Sequence, residues 1–475
     1  MTGNVRHRCE VETAAADSCL ASCEEAVTRL GWIEGFVASI RPYVFVRRED
    51  ALLILLPNQA YKINATALDM LERLLGGGAL ADVVARHRLE RPERSRQVHD
   101  FFCDLRALVM GCLGDGTGRR AVETIPFERP FNTLPVLSEI AVTYRCNLRC
   151  RFCYVGCGCR SGGDQREEMT TDEICRVLEI IRRDAQVPSV SFTGGEPMLR
   201  DDLPELIASA RQLGMRVNLI TNGTRMDRRA AERLVAAGLN SAQVSLEGPS
   251  AELHDSLTGR AGSFERTVCG IEELRAAGVH VHTNTTLTAL NRDAAERMPA
   301  LVASLGLERL SMNLMIPTRA AVEAGGEGLG VPYNEVGDVV LRIRSAAHRA
   351  GVRFLWYSPT PLCLFNPIAN GLGNKGCAAC DGLLSVSPTG DVLPCSSFDE
   401  GVGNLLREDF RAIWWGERAE YYKQKRYAHA LCRDCADFTF CDGACPLYWA
   451  TRGYGELLER RGTGCQPVLL GEMAP

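Results

Sequence analysis

The sequence predicts an α/β protein in three parts: an N-terminal winged-helix domain, a parallel sheet covered by helices, and a cysteine-rich C-terminal domain. The main observation is that six apolar strands alternate with helix-like stretches from residue 137 onward, which is typical of parallel sheets. A pair of strands and several helices precede this alternation, and the density of cysteines rises sharply from Cys363. A chain of 475 residues is long enough for about three domains.

The first domain is expected at residues 36–115, after an N-terminal extension at residues 1–35. Residues 43–56 predict two strands around a polar turn. Asn64 is a suitable N-cap for a leucine-rich helix that a glycine triplet ends. A last helix repeats apolar residues at helical spacing up to Val109. Two strands with three helices predict a winged helix.

Residues 116–134 are expected to be a linker, and residues 135–350 the α/β domain. The apolar stretches that predict strands lie at residues 137–143, 189–193, 216–221, 242–246, 280–287 and 307–315. The stretches that predict helices lie at residues 171–184, 203–213, 228–237, 264–277 and 293–305. Six βα units are too few to close an eight-stranded barrel, and in such folds chemistry occurs at the carboxyl ends of the strands.

Three cysteines, Cys146, Cys150 and Cys153, follow the first predicted strand with the spacing C-x3-C-x2-C. Three thiolates are one fewer than a tetrahedral zinc site or a fully held iron–sulfur cube needs. A cube held by three thiolates has one iron open for a small molecule. The alternatives are three unrelated buried thiols, or a zinc loop with a distant fourth ligand.

This loop, with the aromatic Tyr154 after it, resembles the cluster-binding loop of the radical S-adenosylmethionine (radical SAM) superfamily. The resemblance implies a partial (β/α)6 barrel and a [4Fe–4S] cluster whose open iron binds the amino and carboxylate groups of SAM. Electron transfer into SAM then yields a 5′-deoxyadenosyl radical. On this resemblance, Cys146, Cys150 and Cys153 are the catalytic cluster ligands, and Tyr154 lies on the SAM side.

Gly194, Gly195 and Glu196, at the end of the second predicted strand, resemble the GGE motif of the same superfamily. Two glycines allow a ligand to approach the backbone closely. The resemblance implies that this backbone and the Glu196 carboxylate contact the methionine amine of SAM. The alternative is a plain turn.

Three more polar residues at strand ends are candidates for SAM contacts. Ser245 and Glu247 resemble the superfamily's S-x-D-G turn, although Glu stands where Asp is usual. Asn284, on the fifth predicted strand, is a further polar group on the SAM side. The alternative for each is an ordinary turn residue.

The C-terminal domain, expected at residues 351–475, carries two blocks of cysteines that resemble the SPASM extension of radical SAM peptide maturases. The first block has C-x9-G-x4-C spacing, and the second has C-x2-C-x5-C-x3-C spacing followed by a last cysteine. The family's interleaved pattern implies two auxiliary [4Fe–4S] clusters, hence three clusters in all. Auxiliary cluster I would take Cys377, Cys380, Cys395 and Cys445, and auxiliary cluster II Cys432, Cys435, Cys441 and Cys465.

Cys363 is a departure from this pattern. Either Cys363 or Cys377 could be the fourth ligand of auxiliary cluster I, or that cluster could keep an open iron for a substrate thiolate. The alternative for the whole array is a set of zinc ribbons at the two C-x2-C pairs.

The first domain resembles the PqqD-like recognition element of ribosomal-peptide maturases. The resemblance rests on the strand pair and on residues 61–68, which lead into the leucine-rich helix. It implies that a leader peptide adds a strand to the exposed edge of the sheet. The alternative is a packing module without a peptide ligand.

Composition restricts the possible partners. The net charge of −5 and the absence of a long basic block give nucleic-acid binding no electrostatic support. No run of 18 apolar residues predicts a membrane span, and the first residues lack the apolar core of a secretory signal. With 21 cysteines and no export signal, the expected location is the reducing cytoplasm, with metal ligands and free thiols instead of disulfides.

The resemblances together predict an enzyme that cleaves SAM and installs a crosslink in a ribosomally made polypeptide bound through its leader. A thioether is the first choice, and a C–C or C–O bond the next. An electron donor of the flavodoxin or ferredoxin class would be a second partner. The competing hypotheses are a sulfatase maturase, a haem-precursor-modifying enzyme, an inactive peptide-delivery scaffold, and a zinc protein.

Overall fold

The computed structural model describes residues 24–110, 121, 130–156 and 168–462. The chain forms two compact units that divide between Thr133 and Leu134. Most of the expected linker lies outside the described residues, as does the start of the N-terminal extension. Within the described residues, no helix is long and apolar enough to cross a membrane.

The first unit contains a three-stranded antiparallel sheet, where the sequence predicts only two strands. The strands are β1 (Val44–Arg47), β2 (Leu52–Leu55) and β3 (Gln59–Lys62), and β2 lies in the middle. Sequence reasoning missed β3 because it is short and polar, with exposed residues at both ends. Each of the two outer strands, β1 and β3, has one edge without a partner strand among the described residues.

Helices pack around this small sheet, among them α1 (Trp32–Ile40), α2 (Ala65–Leu75), α3 (Leu80–His87) and α4 (Pro92–Val109). The Asn64 side chain caps α2, as predicted, by accepting a hydrogen bond of 2.8 Å from the Ala67 N–H. The boundary expected after residue 35 falls inside α1. Because Leu30, Ile33 and Val37 are buried in the same core, residues 24–35 belong to this unit.

The second unit is built on a ten-stranded sheet with the order β10-β9-β8-β7-β6-β5-β4-β11-β12-β13. Eight neighbouring strands are parallel, and seven of them belong to the α/β part, one more than the predicted six. These seven are β4 (Leu137–Thr143), β5 (Ser189–Gly194), β6 (Arg216–Thr221), β7 (Ser241–Ser245), β8 (His280–Leu287), β9 (Arg309–Leu314) and β10 (Arg353–Trp356). The additional strand, β10, has only four residues and no clear periodicity.

The expected boundary at residue 350 does not separate two sheets. From the cysteine-rich segment, β11 (Leu383–Val386) pairs in parallel with β4, and β12 (Asp391–Leu393) and β13 (Gly403–Asn404) continue the sheet antiparallel. This pairing fixes the cysteine-rich segment beside the first strand of the α/β part.

The helices of the α/β part are α5 (Thr171–Arg183), α6 (Leu203–Gln212), α7 (Arg228–Ala236), α8 (Ala251–Thr258), α9 (Ser263–Ala276), α10 (Met298–Ser304) and α11 (Tyr333–Arg349). Prediction missed α8 and α11. Short helices follow in the cysteine-rich segment: α12 (Phe410–Trp414), α13 (Glu417–Lys423), α14 (Ala430–Arg433), α15 (Phe438–Cys441), α16 (Pro446–Arg452) and α17 (Gly455–Gly462).

The two faces of the parallel sheet differ in polarity. Alternate residues such as Ile140, Phe192 and Leu219 are buried with the helices in one apolar core. Their neighbours in sequence, such as Asn218 and Gln243, lie on the opposite face and remain partly accessible. We call this second face the polar face. It leads to the carboxyl ends of the strands, where the predicted site residues lie.

Candidate functional site

The loop with Cys146, Cys150 and Cys153 leaves the carboxyl end of β4 and is held in an irregular but defined shape. The backbone N–H groups of Arg149 and Arg151 donate to carbonyls at the end of α8, at 2.9 and 3.0 Å. The Cys153 N–H donates to the Cys150 carbonyl at 3.2 Å. Helix α8, which sequence reasoning missed, therefore fixes the position of the cysteine loop.

The three thiols of this loop lie near one another in a poorly solvated place. Burial raises the pKa of Cys146 to about 11, and the negative charges of Glu196 and Cys153 add to this shift. The pKa of Cys150 is raised well above its usual value by burial and then by Glu247, Cys153 and Cys146. Thiolates in such a place need a bound cation to offset their charge.

A cluster makes a different geometric demand on three thiols than a single metal ion does. Among the described residues, no three His, Cys, Asp or Glu side chains surround one point as a single metal ion requires. A cube instead binds each thiolate at a different iron, so the thiols need to be near each other without converging. The assignment of the three cysteines as cluster ligands stays a prediction.

Gly194 and Gly195 are needed because the cysteine loop passes directly against them. A Cβ atom on Gly194 would lie 2.1 Å from the Thr143 carbonyl oxygen, and one on Gly195 would lie 2.2 Å from that of Arg145. The Gly195 and Glu196 N–H groups donate to these two carbonyls, at 2.8 and 2.9 Å. The glycines therefore join the ends of β5 and β4, a role that the sequence did not indicate.

The Glu196 carboxylate is buried and connects β5 to the turn after β6. Its oxygens accept hydrogen bonds from the Thr221 hydroxyl at 2.7 Å, the Asn222 N–H at 2.8 Å and the Met198 N–H at 3.0 Å. Burial raises the pKa of Glu196, and these hydrogen bonds oppose the shift. A carboxylate has about four acceptor positions, and these hydrogen bonds occupy three of them.

Asn222, in the turn after β6, is a further residue of this site, and the sequence resembles the superfamily's Thr-Asn-Gly turn there without assigning it a role. Its amide donates to the Asn147 side chain at 2.9 Å and lies 3.9 Å from the Cys146 sulfur. The Leu148 N–H also approaches this sulfur, at 3.4 Å. Donors to sulfur stabilise a thiolate, so the turn after β6 supports the cysteine loop. The sequence signal for this role is the Thr-Asn-Gly tripeptide at residues 221–223.

The other residues that were expected to contact SAM lie in two different environments. Ser245 and Asn284 are paired in register on the polar face, and the Asn284 amide donates to Asn313 at 2.7 Å. Glu247 is buried, accepts a hydrogen bond of 2.8 Å from the Thr286 N–H, and acts electrostatically on Cys150. Burial raises the pKa of Glu247 to about 8.

A small cavity lies between the first cysteine loop and the cysteine-rich segment. Its lining includes Tyr154 and Tyr144 from the cysteine loop, Thr193 from β5, and Ser396, which follows Cys395. Glu139 also lines it; burial raises the pKa of this carboxyl, and hydrogen bonds from Ser385 and Ser396 oppose the shift. Sequence reasoning missed Glu139, although a lone acid within an apolar strand was the available signal.

Four cysteines predicted for auxiliary cluster I come together around the β11–β12 hairpin. The Cys380 N–H donates to the Pro394 carbonyl at 3.0 Å, next to Cys395. Burial raises the pKa of Cys395, and Cys377 and Cys445 add to that shift. Close by, the buried Lys425 donates to the Cys377 carbonyl at 2.7 Å and to Asp381 at 3.1 Å.

The residues predicted for auxiliary cluster II are described in part, because Cys465 lies outside the described residues. Cys432 and Cys435 share one turn, in which the Cys435 N–H donates to the Cys432 carbonyl at 3.0 Å. The Leu362 N–H donates to the Cys441 sulfur at 3.3 Å. The residue before Cys363 therefore contacts the second group of cysteines, whereas the sequence offers Cys363 as an alternative ligand of the first.

Two family models match parts of this chain. Residues 140–303 match the radical SAM superfamily, and residues 377–436 match the SPASM family, described as an iron–sulfur cluster-binding domain. An AdoMet-dependent heme synthase of Oleidesulfovibrio alaskensis is 31% identical over 323 residues, which cover 64% of this chain and 80% of the relative. A PqqA peptide cyclase of Xanthomonas euvesicatoria pv. vesicatoria is 30% identical over 330 residues, which cover 66% and 82%.

Among solved structures, Streptococcus suis SuiB bound to the precursor peptide SuiA is similar in fold. The TM-score is 0.64 at 14% identity, and the similarity covers 86% of this chain and 95% of SuiB. Because the second unit begins at Leu134, a cover of 86% extends into the first unit.

The fold and these matches define a radical SAM enzyme with an iron–sulfur extension. The chain belongs to the radical SAM superfamily. Its cofactors are SAM and iron–sulfur clusters.

Proposed function

We propose that this enzyme modifies a ribosomally made polypeptide and installs a crosslink in it, with a thioether as the first choice and a C–C or C–O bond as the next. The bound cluster would supply the electron that cleaves SAM to a 5′-deoxyadenosyl radical. Cys146, Cys150 and Cys153 would hold that cluster. The Asn222 amide and the Leu148 N–H would stabilise the sulfur of Cys146.

The residues around this loop would bind SAM by hydrogen bonding and by shape. Glu196 has acceptor capacity for the methionine amine, and its three present hydrogen bonds fix its orientation. Tyr154, Ser245 and Asn284 lie on the side of the sheet that SAM would occupy, while Glu247 lies closer to Cys150.

The cysteine-rich segment would hold two more clusters, which gives three in all. Auxiliary cluster I would take Cys377, Cys380, Cys395 and Cys445, and auxiliary cluster II Cys432, Cys435, Cys441 and Cys465. The nearby Lys425 would lower the cost of holding four thiolates at the first of these sites. An electron donor of the flavodoxin or ferredoxin class would reduce the enzyme.

One observation carries the choice of a peptide substrate: the fold similarity to SuiB extends into the first unit. SuiB was solved with a precursor peptide, and the first unit of this chain has an accessible edge strand, β3. A PqqD-like winged helix would use that edge to add the leader as a fourth strand, with backbone hydrogen bonds for affinity.

Haem-precursor modification is the second candidate, because heme synthases are about as similar to this chain as the peptide cyclases are. Those relatives match only 64% to 66% of this chain. A small tetrapyrrole also needs no leader-binding unit, so the presence of the first unit favours a peptide as the substrate.

The test is anaerobic reconstitution followed by assay of 5′-deoxyadenosine and of product mass. The substrates are peptides encoded by neighbouring small reading frames and, separately, a porphyrin tetracarboxylate. We expect peptide-dependent product with wild type, no deoxyadenosine with Cys150→Ala, and deoxyadenosine without product with Cys435→Ala. Product from the porphyrin alone would contradict the peptide assignment, and equal activity of Cys150→Ala and wild type would contradict the first cluster.

A further inference from the structure

The polarity of the polar face is unusual for a parallel sheet that is covered by helices. Parallel strands covered by helices are commonly apolar on both faces, and barrel interiors are filled with branched aliphatic side chains. Here the side chains on this face form polar pairs across neighbouring strands. Ser241 donates to Asn218 at 2.7 Å, and His282 lies 3.2 Å from the Gln243 oxygen. This face is therefore suited to contact a polar molecule.

Positive side chains collect at the amino end of this face. Arg216, Arg309 and Arg353 are the first residues of β6, β9 and β10. Arg309 and Arg353 are direct partners in the register of neighbouring strands. Lys375 lies nearby, with its ammonium 5.3 Å from the centre of the Tyr357 ring. We call Arg216, Arg309, Arg353 and Lys375 the cationic end.

These charges repel one another. The pKa of Lys375 is lowered by burial and then by Arg353, and the pKa of Arg216 is lowered by burial and then by Arg309 and Arg211. Like charges opposite each other on neighbouring strands destabilise a sheet. Within the described ranges of the chain, no carboxylate forms an ion pair with Arg216, Arg309 or Arg353.

The excess of positive charge is confined to the cationic end, because the whole chain carries a net charge of −5. Glu308, next to Arg309 in the sequence, acts on His280, on which Arg309 and Arg216 also act. One carboxylate beside three arginines and a lysine leaves an excess of positive charge. A bound anion would offset this excess.

We propose that the cationic end binds a carboxylate of the substrate, namely an Asp or Glu side chain of the peptide; this rests on the proposed function. Guanidinium groups bind carboxylates through two parallel hydrogen bonds, and the in-register pair of Arg309 and Arg353 presents two such groups side by side. The polar face then guides the peptide from this end toward the cysteine loop.

The length of the strands sets the spacing between the acidic residue and the modified residue. A strand rises about 3.3 Å per residue, so the first and last residues of β9 (Arg309–Leu314) are roughly 16 Å apart. An extended peptide covers this distance in about five residues. The bound acidic residue would therefore lie about four or five positions from the residue that reacts.

The experiment compares full-length reconstituted enzyme with the double variant Arg309→Gln/Arg353→Gln. The matched control is Arg183→Gln/Arg228→Gln, which removes two exposed arginines from helices. The probes are a fluorescent hexaglutamate peptide, the matching hexaglutamine peptide and a porphyrin tetracarboxylate. Dissociation constants are measured by anisotropy or fluorescence quenching at low and high salt.

We expect wild type and the control to bind hexaglutamate at least tenfold more tightly than hexaglutamine, and the double variant to lose that difference. Equal affinity of the double variant and wild type for hexaglutamate would overturn the proposal. If wild type bound the porphyrin more tightly than hexaglutamate, and the double variant lost that binding, the assignment of the cationic end to a peptide carboxylate would be overturned. Uncoupled SAM cleavage is measured in parallel; its absence in wild type would count against the proposed function and leave the carboxylate site standing.

Discussion

At the residue scale, burial and neighbouring charge decide how single side chains on the polar face behave. His282 lies beside Gln243, at 3.2 Å, in a poorly solvated place. Its pKa is lowered to about 4 by burial and then by the positive charges of His280, Arg309 and Arg216. The neutral imidazole is therefore the form that the folded protein favours.

This predicts a dependence of stability on pH. Because the pKa of His282 is about 4 in the folded chain and about 6.5 ordinarily, only the unfolded chain binds the proton between these values. The stability contribution is full above about pH 6.5 and is lost as the pH falls toward 4. The free energy of unfolding therefore rises with pH between these values. Replacing His282 by Gln should lower this slope by up to about 1.4 kcal/mol per pH unit.

The measurement is the free energy of unfolding from urea titrations across that pH range. The control is His348→Gln, because His348 is an exposed residue on α11. A slope that is identical in His282→Gln and wild type would show that the proton is not bound at this residue.

At the element scale, the close contact between the end of β5 and the cysteine loop positions the site. Gly195 and Glu196 bind the carbonyls of the chain that leaves β4, while Glu196 also binds the turn after β6. Three strand ends and the cysteine loop are thus joined through one short segment. A small change in that segment should disturb the whole loop.

Gly195→Ala tests this contact. The new Cβ would lie 2.2 Å from the Arg145 carbonyl oxygen, so the cysteine loop must move. We expect a loss of about 1–3 kcal/mol in stability from overpacking, and less than half the wild-type iron content after reconstitution. Thermal unfolding and iron analysis measure the two effects.

Gly330→Ala is the matched control for this substitution. Its Cβ would meet nothing within 4 Å, so stability and iron content should stay at the wild-type level. If Gly195→Ala also retained full iron content, the close contact would not be what positions the cysteine loop.

At the scale of the whole molecule, the chain separates the predicted peptide-binding part from the catalytic part. The first unit ends at Thr133, and each unit has its own apolar core. The matches to the radical SAM and SPASM families fall entirely within the second unit. The two activities should therefore be separable.

A chain that starts at Leu134 should still cleave SAM without peptide, because all the predicted cluster ligands lie after that residue. It should lose at least tenfold in affinity for the leader, since β3 is removed. Circular dichroism establishes that the shorter chain is folded, and calorimetry measures its affinity. Undiminished leader binding would show that recognition does not depend on the first unit.

The sequence alone predicted the strands of the α/β part closely because apolar periodicity is a local property. It missed β3, β10 and α8, which are short and have little periodicity, and it also missed the longer helix α11. It also gave the two glycines at the end of β5 a role in ligand approach, although they meet the carbonyls of Thr143 and Arg145, about fifty residues earlier in the sequence. Such contacts depend on which strands become neighbours.

By itself, the sequence determined the class of chemistry, because the spacing of the cysteines and the Gly-Gly-Glu tripeptide are read within a few residues. Only the tertiary structure decided which distant residues share a site. It brought Glu196 to Asn222, placed Leu362 against Cys441, and aligned Arg309 with Arg353. The physical reason is that strand register and loop packing are set by the burial of the whole apolar core, which no short stretch of sequence contains.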